Sequence, residues 1–288
     1  MDVLTNRSVI KDIMEKNGFT FKKSLGQNFI VNPSICPRIA EMGGVTSEMG
    51  VIEVGTGIGV LTAELAQRAK KVVCIEIDDR LFPVLNETLK DFDNIKLVHN
   101  DILKVDLPKL IEEEFEGMDV CVCANLPYYI TSPIIMNLLE QNLPIKSITV
   151  MVQKEAADRI CAEPGTRECG AISAAISYYS KPEVLFKVSK GSFMPPPNVD
   201  SAVIKLTLRH NDKINVQNES LMFKIVRGAF SQRRKTILNT LSSSMGVSKE
   251  DTANIIESVG LATNLRAEAL TLSDYAALTE AFDKHLNK

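Results

Sequence analysis

The segment ANLPYYITSP, residues 124–133, holds the residue types best suited to chemistry in this 288-residue chain. Asn125, Leu126, Pro127 and Tyr128 stand near its head. A planar amine conjugated to a nucleobase is a poor nucleophile because its lone pair is delocalised into the ring. Two acceptors aimed at the amine hydrogens draw that pair back onto nitrogen. The side-chain oxygen of Asn125 and the backbone carbonyl of Leu126 can be those acceptors. Pro127 fixes the turn, and Tyr128 can stack on the base. Such a site works by positioning and by hydrogen bonds that strengthen in the transition state, with no covalent step. Taken alone, the tetrapeptide is also compatible with a plain turn between a strand and a helix. A nucleoside pocket beside it would decide for chemistry.

The residues of such a pocket are present. EVGTGIG, residues 53–59, follows an apolar run and opens a helical pattern. Gly55, Gly57 and Gly59 fall as G-x-G-x-G, which lets backbone approach a ligand closely but is not the G-x-G-x-x-G dinucleotide fingerprint. Glu76 lies 21 residues after Gly55, where a carboxylate can accept hydrogen bonds from both hydroxyls of a ribose. Asp101, in VHND, can accept from the exocyclic amine of an adenine, and Ile77 and Ile102 can hold the ring between them. No Walker lysine accompanies the loop. The acids favour a ligand that has no phosphates and carries positive charge, and S-adenosylmethionine, with its sulfonium and ammonium, fits. Each acid alone can be a helix cap; together with the loop they describe a pocket.

These residues need a scaffold that brings strand ends together. GVIEV (50–54), KVVCIEI (71–77), IKLVH (95–99), VCVCA (120–124) and IKSITVMVQ (145–153) read as strands, separated by segments with helical apolar spacing. Pro83 in DDRLFPVLNETLKDF is tolerable near a first turn, and Ser132 before Pro133 suits a helix start. KEAADRICAEP and GAISAAISYYS read as helices, and VLFKVS and SAVIKLTLR as two strands around a proline loop that pair antiparallel at one edge. The alternation predicts an α/β fold with a doubly wound parallel sheet. From about residue 211, ESLMFKIVRGAFSQ, RRKTILNTLSSSM, SKEDTANIIESV and TLSDYAALTEAFDKHL have helical periodicity only. Two domains are expected, 1–210 and 211–288, the second a small all-helical one.

Composition bounds the partners. With 45% hydrophobic and 24% charged residues the chain is an ordinary globular protein. It has no apolar run long enough to cross a bilayer and no signal-peptide core at its start, so a cytoplasmic location without membrane contact is expected. The six cysteines form no C-x-x-C pair, and no histidine stands at ligand spacing from one, so buried free thiols and no metal site are expected. The net charge is −3, yet residues 181–240 carry +7 while residues 41–180 carry −10. A basic stretch of that kind can meet phosphates whatever the total charge. Arg233, Arg234 and Lys235 are its densest cluster, though they could also form a solvated helix start.

Taken together, EVGTGIG, Glu76, Asp101 and NLPY resemble the rRNA adenine dimethyltransferases, a family with the Rossmann-like class I methyltransferase sheet. The likeness extends through most of the chain. KKSLGQNFIVN (22–32) is similar to the family's N-terminal cofactor motif, which implies that Gln27, Asn28 and Ile30 line the S-adenosylmethionine site. FMPPPNVDSAV (193–203) is similar to its F-x-P-x-P-x-V-x-S segment, which implies that Phe193 stacks on a flipped base opposite Tyr128. AFSQRRKTILNTL and LRAEALTLSDYAAL resemble the helical tail of the small-subunit branch. The resemblance implies methyl transfer to two adjacent adenosines in the 3′-terminal hairpin loop of small-subunit (16S) rRNA, within a pre-30S-like particle, by a monomer. The base must leave its loop to reach the pocket, and Arg233, Arg234 and Lys235 would contact RNA.

Rival readings remain distinguishable. The family's other branch methylates large-subunit rRNA and confers antibiotic resistance; its members tend to be basic, unlike this chain. A DNA adenine methyltransferase would carry a proline where Leu126 stands. A dehydrogenase is opposed by the glycine spacing. A non-catalytic pre-rRNA-binding assembly factor would not need an intact NLPY.

Overall fold

The structure, a computed structural model, describes residues 2–19, 26–210 and 212–287. Residues 22–25, the start of the N-terminal motif, lie outside the described residues. Nine strands form among the described residues: β1 Phe29–Ile30, β2 Gly50–Val54, β3 Lys71–Glu76, β4 Ile95–His99, β5 Val120–Asn125, β6 Ile145–Gln153, β7 Ser180–Val188, β8 Phe193–Met194 and β9 Ser201–Leu208. Seven of them make one mixed sheet in the order β4-β3-β2-β5-β6-β9-β7. β2 through β6 pair in parallel, and β9 runs antiparallel to β6.

The central strands are mostly apolar because both faces are covered, with Glu53 of β2 the buried acidic exception. All five residues of β2 are buried, as are Val120 to Ala124 of β5. The helix Val60–Arg68 buries seven consecutive residues after the glycine loop. The chain enters at β2, steps outward to β3 and β4, then returns to β5 on the other side of β2. Strand order thus reverses between β2 and β5. In an open sheet of this kind the crevice beyond the carboxyl ends of such neighbours is where ligands sit. Gly55 follows β2, Glu76 ends β3, Asp101 lies two residues past β4 and Asn125 ends β5. All four are therefore delivered to one edge by the winding of the chain.

The chain divides into two compact units, one of residues 1–157 and 183–208, the other of residues 158–182 and 209–288. The boundary expected at residue 210 corresponds to the second crossing. The earlier excursion, which takes GAISAAISYYS into the helical unit, is not visible as a composition shift. Its cause is aromatic packing. In the helix Ala171–Tyr179, Tyr178 meets Phe223 edge-on at 5.4 Å between ring centroids and Tyr179 stacks on it at 5.5 Å. Both phenols also donate to the carboxylate of Glu219.

Other differences are local. The two-residue strands β1 and β8 pair Phe29 with Met194 and Ile30 with Phe193, too short a ladder to leave a sequence pattern. β7 starts at Ser180, four residues before the expected VLFKVS. Arg233, Arg234 and Lys235 sit in an exposed turn, and the helix begins only at Ile237 after Thr236 in extended conformation.

Candidate active site

A cavity of about 210 Å³ opens at the carboxyl ends of the central strands. Gln27, Asn28, Gly55, Gly57, Glu76, Ile77, Asp101, Ile102, Asn125, Leu126, Pro127 and Tyr128 all line it. Residues spread over a hundred positions of sequence are thus brought to one wall. Ile30 lies outside this lining but borders a smaller adjoining cavity that shares Asn28, Gly55, Gly57 and Asn125.

The glycine loop is shaped for a close approach. Gly55 and Gly57 have φ of +74° and +59°, a region that side chains rarely adopt. A Cβ on Gly55 would project into the cavity, meeting only Asn125 O and Pro127 Cδ at 3.9 Å. The Gly57 amide turns inward and donates to Glu76 Oε2 at 3.2 Å.

Glu76 is buried, yet its carboxylate is well held. Oε1 accepts from the amides of Ile77 and Asp78, each at 2.9 Å. Burial raises its pKa against the three amide bonds that favour the charged form. A carboxylate has about four acceptor sites, so roughly one remains, on Oε2. Accepting from both ribose hydroxyls would therefore require one of these amide bonds to be given up. Asp101 is arranged differently. Its Oδ1 caps a turn by accepting from Leu103 N at 3.0 Å, while Oδ2 has no hydrogen bond to any described residue. Ile77, 51% exposed beside it, offers an uncovered apolar face.

Asn125 is oriented by the N-terminal segment. Its Nδ2 donates to the carbonyl of Asn28 at 3.3 Å, which leaves Oδ1 as an unspent acceptor. Asn28 is itself fixed by donation from its Nδ2 to Gly26 O at 2.9 Å. The amide of Leu126 donates to Met151 O at 3.2 Å, and no described donor occupies the Leu126 carbonyl. Both acceptors required for a nucleobase amine are thus free. Gln27 lines the cavity, but its amide donates to Asp78 Oδ2 at 2.8 Å. Asp78 is also gripped by Arg80 at 2.6 Å, and this hydrogen bonding lowers its pKa. Tyr128 is half-buried and its phenol meets Ser201 Oγ at 2.7 Å.

Phe193 departs from the expectation. Its ring is fully buried against the core, opposite Ile30 in the β1–β8 pair, and it does not line the cavity. This conformation presents Tyr128, and no face of Phe193, to an incoming base. Tyr129, Asn100 and Leu81 also line the cavity and were not singled out by sequence. Asn100 adjoins Asp101 and was findable by proximity; nothing in the sequence marks Leu81.

Glu53, noted above only as the first letter of a motif, is 1% exposed and borders the smaller cavity. Burial pushes its pKa up to about 8, and it accepts from Cys74 Sγ at 3.6 Å. Among the described residues no group of three or more His, Cys, Asp or Glu is placed to hold a metal ion. No described helix is long and apolar enough to cross a membrane.

The sequence profile described as Ribosomal RNA adenine dimethylase matches residues 18–284. The chain belongs to the ribosomal RNA adenine dimethylase family. Among the relatives of this dimethylase is the Ribosomal RNA small subunit methyltransferase A of Bacillus pumilus (strain SAFR-032), 48% identical over 280 residues, 96% of either chain. Another bears the same name in Geobacillus sp. (strain WCH70), 48% identical over 94% of each chain. Among solved structures, a dimethyladenosine transferase from Plasmodium falciparum superposes with a TM-score of 0.73 at 27% identity, over 89% of this chain and 98% of its own. The 23S rRNA methyltransferase ErmE superposes at 0.69 with 26% identity, over 89% and 100%. The sheet is therefore that of the class I rRNA methyltransferases, and the family is one of S-adenosylmethionine-dependent enzymes.

Proposed function

We propose that this dimethylase transfers methyl groups from S-adenosylmethionine to the exocyclic amines of two adjacent adenosines in the 3′-terminal hairpin loop of 16S rRNA. We place it in the cytoplasm, as a monomer acting on a pre-30S-like particle. The observation that carries the chemistry is the pair of unspent acceptors, Asn125 Oδ1 and the Leu126 carbonyl, on the wall of a cavity that also holds Glu76 and Asp101.

The donor set suits the methyl donor. Asp101 Oδ2 is free to accept from an adenine amine, and Ile77 and Ile102 flank that position. Glu76 Oε2 keeps an acceptor for the ribose. The space at Gly55, where a Cβ would meet nothing nearer than 3.9 Å, admits a chain passing against backbone, while at Gly57 the Phe29 ring would lie 3.4 Å away. When bound, S-adenosylmethionine would supply a methyl carbon made electrophilic by the sulfonium sulfur that carries it.

The chain's own residues do the rest. Tyr128 stacks on the flipped adenine and sets its plane. In the first transfer Asn125 and Leu126 accept hydrogen bonds from the two amine hydrogens, and in the second the monomethyl amine keeps one hydrogen for either of them. As nitrogen attacks, the methyl–sulfur bond breaks to leave a neutral thioether, positive charge grows on nitrogen and these bonds strengthen in step, and the surplus amine proton is then lost to water. Phe193 can join as a second stacking face only if its ring leaves the core position it has here. The domain of residues 1–210 is proposed as catalytic and that of 211–288 as rRNA-binding. In the helical unit, Lys181 and Arg209 pair with Asp212 at 2.7 and 3.0 Å, and Lys213 with Glu219 at 3.0 Å. Those pairs consume part of the basic stretch. Arg233, Arg234 and Lys235 are exposed and make no ion pair with a described residue, so they are proposed as the phosphate contacts.

The test is incubation with labelled S-adenosylmethionine and unmethylated small or large subunits, followed by mapping of the modified nucleotide. Dimethylation of two adjacent adenosines near the 16S 3′ end is expected. Transfer to large subunits would support the resistance reading, and binding without transfer the assembly-factor reading.

A further inference from the structure

Ser201 lies 73 residues from Tyr128 in sequence, yet its Oγ is 2.7 Å from the Tyr128 phenol oxygen. Ser201 is 0% exposed. We propose that Ser201 is a positioning residue of the methyl transfer, holding the Tyr128 ring through its phenol in the plane where it meets the target base. This rests on the reading of Tyr128 as the stacking residue.

Three observations carry it. First, the Tyr128 side chain makes one hydrogen bond among the described residues, that to Ser201. Tyr128 opens a three-residue 3₁₀ turn, Tyr128–Ile130, after Pro127. A tyrosine ring turns about two torsions: its far oxygen lies on the axis of the second, so holding that oxygen fixes χ1, and the preference of phenol hydrogen bonds for the ring plane biases χ2, while the ring faces stay open to the cavity. Second, Ser201 is itself set in the sheet. It is the first residue of β9 and pairs with Gln153 at the end of β6. Its neighbour Asp200 accepts from Lys154 N through its carbonyl and from Lys190 N through Oδ1, each at 2.9 Å. Third, β6 serves as a common ruler. Met151 pairs with Asn125 and its carbonyl receives the Leu126 amide, while Gln153, two residues on, fixes Ser201. The acceptors that meet the amine and the ring that meets the base are thus registered on one strand.

Burial raises the pKa of the Tyr128 phenol, so it keeps its proton through the neutral range and the pair of hydroxyls persists. Orientation settled before the base arrives does not have to be won from binding.

The test is a double-mutant cycle of Ser201→Ala and Tyr128→Phe on unmethylated small subunits. It reads kcat, KM for the particle and Kd for S-adenosylmethionine by calorimetry. Each single variant is expected to lose about tenfold in kcat/KM for the particle, with cofactor Kd unchanged within about twofold. The double variant should lose no more than either single, because both remove one bond. Ser201→Thr, which keeps the hydroxyl, should recover most of the loss. Wild-type kinetics in Tyr128→Phe, multiplying losses in the double variant, or a parallel fall in cofactor affinity would each overturn the proposal. If Ser201→Ala does not fold, Tyr128→Phe carries the test, since it removes the bond from the other side and keeps the ring. Tyr128→Ala separates the two claims. Full activity there sinks the stacking role itself, whereas loss in Tyr128→Ala with none in Tyr128→Phe sinks only the role of Ser201.

Discussion

Glu53 makes this protein less stable as pH rises, and its replacement by glutamine removes that dependence. Glu53 is the fourth of the five residues of all-buried β2, and Cys74 Sγ donates to its carboxyl at 3.6 Å. Burial is the first cause of its raised pKa, from 4.5 to about 8. The folded chain therefore holds a proton there that the unfolded chain releases above about pH 4.5. A folded pKa raised above the unfolded one gives stability that is complete below the lower value and is lost as pH rises to the higher. Between the two, the loss is about 1.4 kcal/mol per pH unit. Glutamine keeps the acceptor and the shape and does not titrate. Urea unfolding of the wild type and Glu53→Gln at pH 5.5 and 7.5 isolates this group, because all others cancel. The variant should gain about 2–3 kcal/mol on the wild type across that interval. Parallel pH dependences would refute the reasoning and mean that Glu53 is ionised in the folded protein.

Glu76→Ala should weaken S-adenosylmethionine binding by about 1–3 kcal/mol in calorimetry, the size of lost charge-assisted hydrogen bonds; unchanged affinity would remove Glu76 from the site. Gly50→Ala would place a Cβ 2.1 Å from Phe115 Cδ1, and overpacking should lower stability by about 1–3 kcal/mol in urea, whereas an unshifted midpoint would mean that Phe115 yields freely. Neutralising Arg233, Arg234 and Lys235 together should weaken binding to small-subunit particles and flatten its salt dependence by about 2 in log–log slope. Cofactor affinity should not change, since none of the three lines the cavity. An unaltered slope would move the phosphate contact elsewhere.

The site was legible because its residues occupy strand ends. β2 to β6 are apolar runs bounded by turn residues, and their boundaries fall within one residue of the sequence reading. Once the winding is known, Gly55, Glu76, Asp101 and Asn125 must converge. What escaped depends on contacts that local pattern does not encode. The excursion of residues 158–182 into the helical unit is set by Tyr178 and Tyr179 meeting Phe223 and Glu219, some forty positions away. The burial of Phe193 follows from a two-residue pairing with β1. The Tyr128–Ser201 hydrogen bond joins two segments whose separation in sequence says nothing of their contact. The state of Glu53 needed its burial to be known, since a glutamate in an apolar strand reads the same whether ionised or neutral.

The central claim is that free acceptors at Asn125 and Leu126 activate an adenine amine. Single-turnover methyl transfer by Asn125→Ala, with enzyme saturating over unmethylated small subunits and labelled S-adenosylmethionine, tests it most directly. Loss of one preorganised acceptor should slow the transfer step by about 10²–10³-fold. Particle binding, measured in parallel, should stay within about twofold, because the bond matters most in the transition state. A single-turnover rate near wild type would contradict the account.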